Sequence, residues 1–159
     1  MAGKKRFPYR AAVVACNGSC PAQGGHGCAY GCIGCGNCAA VCKFGAVSMN
    51  ENGTAQVDEE KCIACGMCVR ACPKGVIHIH ECANYIVVKC SNKDKGKDAK
   101  EVCAASCIGC GICEKNCTAE AVKVVENCAV IREDICLSCG MCAVRCPRNV
   151  IADVRGILT

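Results

Sequence analysis

Four stretches of this chain carry cysteines at one spacing, C-x2-C-x2-C-x3-C. They are Cys32, Cys35, Cys38 and Cys42; Cys62, Cys65, Cys68 and Cys72; Cys107, Cys110, Cys113 and Cys117; and Cys136, Cys139, Cys142 and Cys146. They take up most of the 23 cysteines in a chain of 159 residues that has two Leu, two Phe, three Tyr and no Trp. A domain of this size ordinarily buries more large apolar side chains, so something other than a plain hydrophobic core must hold the middle. That excludes a simple helical bundle, a TIM barrel and any long coiled coil.

The chain repeats itself at long period. Residues 28–38 (CAYGCIGCGNC) reappear as 103–113 (CAASCIGCGIC), and 62–73 (CIACGMCVRACP) reappear as 136–147 (CLSCGMCAVRCP). Upstream, Val13-Val14-Ala15-Cys16 aligns with Val87-Val88-Lys89-Cys90. The expected organisation is a tail at 1–9 and two tandem modules, 10–83 and 84–159, each containing two copies of the cysteine run. Between the runs the pattern turns to period two. Residues 46–49 and 54–57 flank Asn52-Gly53 and read as a hairpin. Residues 121–125 and 129–131 repeat it, and 76–79 and 85–88 also suit short strands. Residues 39–41 and 69–71 suit one or two helical turns. Ser91 to Lys100 reads as a solvated loop, with a docking patch of Lys89, Lys93, Lys95, Lys97 and Lys100 as the other reading. The fold class is therefore α+β: two tandem dicluster modules, each pseudo-twofold, with short hairpins and short helices around metal clusters.

The spacing is that of bacterial-type [4Fe–4S] ferredoxins, in which the fourth Cys ligates the other cluster of a pair. Three thiolates two residues apart curl the backbone around three irons of a cube, and Gly36, Gly66, Gly111 and Gly140 permit the left-handed turn this needs. The fourth Cys is expected to start a helical turn leading away to the partner cube. Cys32, Cys35, Cys38 and Cys72 are thus assigned to the first cluster, and Cys62, Cys65, Cys68 and Cys42 to the second. Cys107, Cys110, Cys113 and Cys146 hold the third; Cys136, Cys139, Cys142 and Cys117 hold the fourth. Structural zinc, the competing reading with metal storage, usually brings two separated C-x2-C knuckles per ion. Pro73 and Pro147 follow two of the runs, whereas Lys43 and Thr118 follow the others. A backbone N–H and a positive charge at Lys43 would raise the potential of the cluster using Cys42 above that of the one using Cys72.

Seven cysteines stand outside the runs. Cys16, Cys20 and Cys28 could form a fifth cluster with Cys90 or Cys103, or all five could be buried free thiols. Cys82 and Cys128 have no repeat partners and read as small hydrophobes. His26, His78 and His80 lack ligand spacing; His78 and His80 share a strand face and are expected at the surface.

The formal charge is +5. An oxidised cube with four thiolates carries about −2, so four of them bring the total to roughly −3 and remove any case for nucleic acid. The longest apolar run near the start, Ala11–Cys16, is far short of a membrane span, and Arg10 interrupts what would be a signal peptide. The expected setting is cytoplasmic, peripheral to a membrane complex if attached to one, where a disulfide framework is disfavoured.

Each module resembles a bacterial dicluster ferredoxin, and residues 10–156 are similar to the ferredoxin-bearing part of the B component of the Rnf complex, a membrane ion-pumping ferredoxin:NAD oxidoreductase. The residues that carry this are Val13 to Cys20, Gly24-Gly25, Ala29 to Cys32, Tyr85 to Cys90, Asp94-Lys95-Gly96, Cys103 and Cys107 to Cys110. The resemblance implies an electron-transfer subunit, not catalytic alone, relaying single electrons through four or five [4Fe–4S] clusters. Its implied partners in a hetero-oligomeric complex are ferredoxin and a flavoprotein or NAD(P)H-oxidising subunit, with no direct membrane insertion. A four-cluster subunit of a molybdenum enzyme or hydrogenase is the alternative.

Overall fold

The computed structural model describes residues 10–16, 28, 30–81, 84–103 and 105–154. Cys20, Cys82, His26 and the 1–9 tail lie outside these described residues. The elements run β1 (Arg10–Val14), α1 (Asn37–Val41), β2 (Val47–Met49), β3 (Ala55–Val57), α2 (Met67–Ala71), β4 (Ile77–Glu81), β5 (Ile86–Val88), α3 (Gly96–Val102), α4 (Ile112–Lys115), β6 (Val122–Val125), β7 (Cys128–Ile131), α5 (Met141–Arg145) and β8 (Ile151–Asp153). The chain is thus a small α+β structure of short helices and two-stranded sheets.

Four antiparallel pairs form: β1 with β4, β2 with β3, β5 with β8, and β6 with β7. The hairpins at 47–57 and 122–131 match the alternating patterns, and Gly53 takes φ +79 in the first turn. The strands at 77–81 and 86–88 do not join each other. Each reaches back or forward across its own cysteine runs, Val14 pairing with Ile77 and Val88 with Ile151. Alternation marks a strand but is blind to its partner, and only the ends of each repeat being adjacent in space explains this pairing.

Every cysteine-run helix begins at a glycine in the left-handed region, Gly36, Gly66, Gly111 and Gly140, with φ from 74 to 78. The fourth cysteine ends its helix rather than starting one. Cys42, Cys72 and Cys146 are extended C-caps, and Cys117 follows the C-cap Asn116. An extended residue there swings the thiol out of the helix towards the neighbouring run, which a helical one would not.

The Lys-rich segment is also not simply a loop. Residues 96–102 are helical, Ala99 is fully buried and Asn92 is 1% exposed. A Cβ on Gly96 would lie 2.8 Å from Ile108 O, so this helix packs tightly beside the third cysteine run. Charge composition hid the small residues, Gly96 and Ala99, that make the contact.

Two clusters of buried side chains form the interior. One contains Ala12, Val14, Val47, Val76 and Ile77 with Cys32, Cys38 and Cys68; the other contains Ile86, Val122, Val150 and Ile151 with Cys107, Cys113, Cys128 and Cys142. Phe44 and Leu137 are exposed. The interior is therefore small β-branched side chains and thiols, as the composition requires.

The hairpin turns lean on the cysteine loops. Gly34 has φ +69, and a Cβ there would lie 2.7 Å from Gly53 O; Gly36 has φ +74 and open space around it. Gly34→Ala is therefore expected to destabilise by about 2–4 kcal/mol, backbone strain plus a clash, and Gly36→Ala by only about 1–2 kcal/mol. Anaerobic thermal melts should show the first as the larger shift. Equal shifts would mean that the Gly53 contact carries nothing.

Candidate metal centres

The four loops between the first and second cysteines of each run have one conformation. Gly34, Ala64, Gly109 and Ser138 all have positive φ, although two of them carry a side chain. Each donates its backbone N–H to the sulfur two residues earlier: Gly34 to Cys32 Sγ at 3.5 Å, Ala64 to Cys62 at 3.4 Å, Gly109 to Cys107 at 3.5 Å and Ser138 to Cys136 at 3.4 Å. More donors come from outside the loop, with Ala12 N 3.3 Å from Cys62 Sγ and Ala121 N 3.2 Å from Cys117 Sγ. An N–H aimed at sulfur favours thiolate over thiol.

Three of the four expected cysteine sets surround a space. Cys42, Cys62, Cys65 and Cys68 line a partly open pocket beside Val47, Ile63 and Ile79. Cys32, Cys35, Cys38 and Cys72 line a second beside Met49 and Ile77. Cys107, Cys110, Cys113 and Cys146 line a third beside Val124 and Ile151. In each, three cysteines come from one run and the fourth from its neighbour, because α1 packs on α2 and α4 on α5. In the fourth set, Cys142 lies near both Cys136 and Cys117, which push its pKa up further.

The third cysteine of each run is buried inside its helix. Burial pushes the thiols of Cys38, Cys68 and Cys113 up and that of Cys142 to about 11, with neighbouring cysteines adding to it. Burial also acts on Cys42, but the backbone groups of Phe44, Ala46, Val47 and Gly45 outweigh it and hold that thiol below its ordinary value. Lys43 itself is exposed.

The second cysteine of each run, Cys35, Cys65, Cys110 and Cys139, is exposed. Each site thus has one edge at the surface and one facing the neighbouring run. Among the described residues, no three His, Cys, Asp or Glu side chains converge closely enough to hold a single metal ion. The cysteines instead stand around unfilled spaces, which fits a group of several atoms with four thiolate bonds.

Outside the runs, Cys128 is buried but not merely apolar. Its Sγ is 3.4 Å from Cys90 O, and its contacts lower the Cys90 and Cys107 thiols to about 6 while its own rises steeply. His80 departs from its expected surface position. It is 1% exposed, with Nε2 3.1 Å from Glu59 Oε1 and Nδ1 finding no partner among the described residues. His78 is exposed as expected, in a groove between the halves whose walls desolvate it and keep its pKa low. Alternation placed both on one side; pairing with Ala11 beneath Glu59 buries only the second.

Residues 31–76 and 61–122 match the 4Fe–4S dicluster domain, and residues 129–152 match the 4Fe–4S binding domain. The second match runs from the second cysteine run into the third, whereas helix packing joins the third run to the fourth. The chain is 46% identical over 143 residues to the B component of the Na(+)-translocating ferredoxin:NAD(+) oxidoreductase complex of Acetobacterium woodii, covering 90% of this chain and 41% of the relative. It is 46% identical over 125 residues to the B component of an ion-translocating oxidoreductase complex of Methanosarcina acetivorans, covering 79% and 47%. A third relative is the B component of the proton-translocating ferredoxin:NAD(+) oxidoreductase complex of Clostridium ljungdahlii, 47% identical over 109 residues, covering 69% and 38%. The chain spans less than half the length of the curated relatives it matches.

Proposed function

We propose, on the premise that this chain is built of 4Fe–4S ferredoxin-type domains and resembles the B component of ion-translocating ferredoxin:NAD oxidoreductases, that it is a single-electron relay subunit. The observation that carries this reading is the repeated pocket ringed by three cysteines of one run and the fourth of its neighbour. Cys32, Cys35, Cys38 and Cys72 would hold one [4Fe–4S] cluster, and Cys62, Cys65, Cys68 and Cys42 a second. Cys107, Cys110, Cys113 and Cys146 would hold a third, and Cys136, Cys139, Cys142 and Cys117 a fourth. The clusters supply reversible one-electron chemistry when bound.

The protein's own part is to set potential, spacing and access. N–H groups aimed at the sulfurs stabilise negative charge, and so favour the reduced state. The exposed second cysteine of each run brings a site edge to the surface, where a partner's redox group can approach. The buried third cysteines face inward along packed helices, so charge passes between neighbouring sites without solvent intervening. The expected partners are ferredoxin on one side and a flavoprotein or NAD(P)H-oxidising subunit on the other, in a hetero-oligomeric complex. The flavin there would convert electron pairs into single electrons. Among the described residues no helix is long and apolar enough to cross a membrane, and a peripheral seat on a membrane complex agrees with the relatives' names.

Rapid mixing with reduced ferredoxin tests the reading. The oxidised chain should bleach its brown charge-transfer absorption while ferredoxin reoxidises, one electron per site. A chain that stays colourless, or keeps its colour while ferredoxin remains reduced, would overturn it.

A further inference from the structure

We propose that Cys16, Cys28, Cys90 and Cys103 hold a further iron–sulfur cluster where the two halves meet, two thiolates coming from each half. This rests on the iron–sulfur reading above and adds a site that the four cysteine runs do not account for. Cys16 matches Cys90 through the repeat, and Cys28 matches Cys103, so each half offers the same pair.

The structure brings the pairs together. Ser91 Oγ donates to Ala15 O at 2.8 Å, which joins the halves one residue from Cys90 and one from Cys16. A Cβ on Gly31 would lie 3.3 Å from Cys16 Sγ and 3.5 Å from Cys28 Sγ, so both sulfurs crowd one glycine and any side chain there would intrude between them. Cys28 and Cys90 both lie near enough to Cys103 to add to the rise that burial causes in its pKa. The second-half end is anchored by Arg148, whose guanidinium donates to Cys103 O at 3.1 Å and Ser106 O at 3.2 Å.

Cys90 has the surroundings of a cluster ligand. Asn92 N donates to its sulfur at 3.4 Å, the same bond across two residues that the first cysteine of every run receives, and Cys107 N donates at 3.2 Å. A buried structural thiol has no need of two amide donors. Asn92 is itself 1% exposed, and its Nδ2 finds no acceptor among the described residues. A buried donor left unmatched on the residue whose amide holds Cys90 is explained by an acceptor of another kind, such as the sulfide of a cluster. The amide of Cys107, a ligand of the third site, touches this thiolate directly, so the junction cluster would connect the first half to the third site.

The test is iron, acid-labile sulfide and zinc per chain, on full chain assembled and purified without air, for wild type, Cys28→Ala and Cys103→Ala. Wild type should carry about 20 iron with matching sulfide, and each variant should lose about a fifth of both while keeping the spectrum of the rest. Cys28→Ala alone suffices should Cys103→Ala not accumulate, since it removes a ligand from the other half. About 16 iron in all three proteins, or a zinc ion bound in place of the missing iron, overturns the junction cluster and leaves the four-cluster relay standing. Absence of sulfide altogether overturns the relay reading instead.

Discussion

Stripping iron from the chain is expected to unfold it. The helices in the cysteine runs are four or five residues long, well below the length that is marginal for an isolated helix in water. Among the described residues every sheet has only two strands, and a two-stranded hairpin is marginal by itself. The buried clusters that should compensate are made of Val, Ile, Ala and cysteines standing around unfilled spaces. Empty, those spaces would forfeit the contacts of every side chain that lines them. Filled by a cluster bonded to four thiolates, each ties two distant runs together. Binding free energy and folding free energy are then the same quantity. Anaerobic oxidation with a chelator should therefore abolish both the far-UV circular dichroism of the folded chain and its slow amide exchange. Iron, sulfide and reductant together should restore both. A stripped chain that kept its protected amides would show that thiols and small aliphatics suffice as a core.

The second large effect concerns which cysteines share a site. Cys32→Ala and Cys72→Ala should each disturb one cluster, and the double variant should disturb that same one. Cys32→Ala with Cys42→Ala should disturb two. The residues are close together, so ordinary additivity is not the standard; the number of clusters disturbed is. Spin counting on the reduced proteins reads this directly, with about one cluster lost in the first pair and about two in the second. The opposite result would mean that each run keeps its own fourth cysteine. The extended backbone at Cys42 and Cys72, which swings both thiols out of their helices, argues for exchange.

Much of this was legible in the sequence, and the failures share one cause. The runs announce their own geometry: spacing fixes which thiols point inward, and Gly36, Gly66, Gly111 and Gly140 announce the left-handed step. The hairpins were legible because turn and alternation sit within a dozen residues. Partnership at long range was not, which is why β1 with β4 and β5 with β8 could not be read from patterns at 76–79 and 85–88. The helix at Gly96–Val102 was masked by lysines on its outer face, and the inward-facing Ala99 is too small to mark an apolar stripe. His80 was misplaced for a similar reason, since a strand's alternation says nothing of the Glu59 that covers it. Conversely, Cys16, Cys28, Cys90 and Cys103 gave only a repeat relation in sequence; the approach of Cys16 and Cys28 at Gly31 and the Ser91–Ala15 bond between the halves needed three dimensions.

Low-temperature electron paramagnetic resonance before and after dithionite decides whether the chain carries iron–sulfur clusters. An anaerobically purified chain should be silent when oxidised and gain at least about four unpaired spins on full reduction, broadened by coupling between neighbouring sites. A chain silent in both states, carrying zinc without sulfide, would contradict the iron–sulfur account.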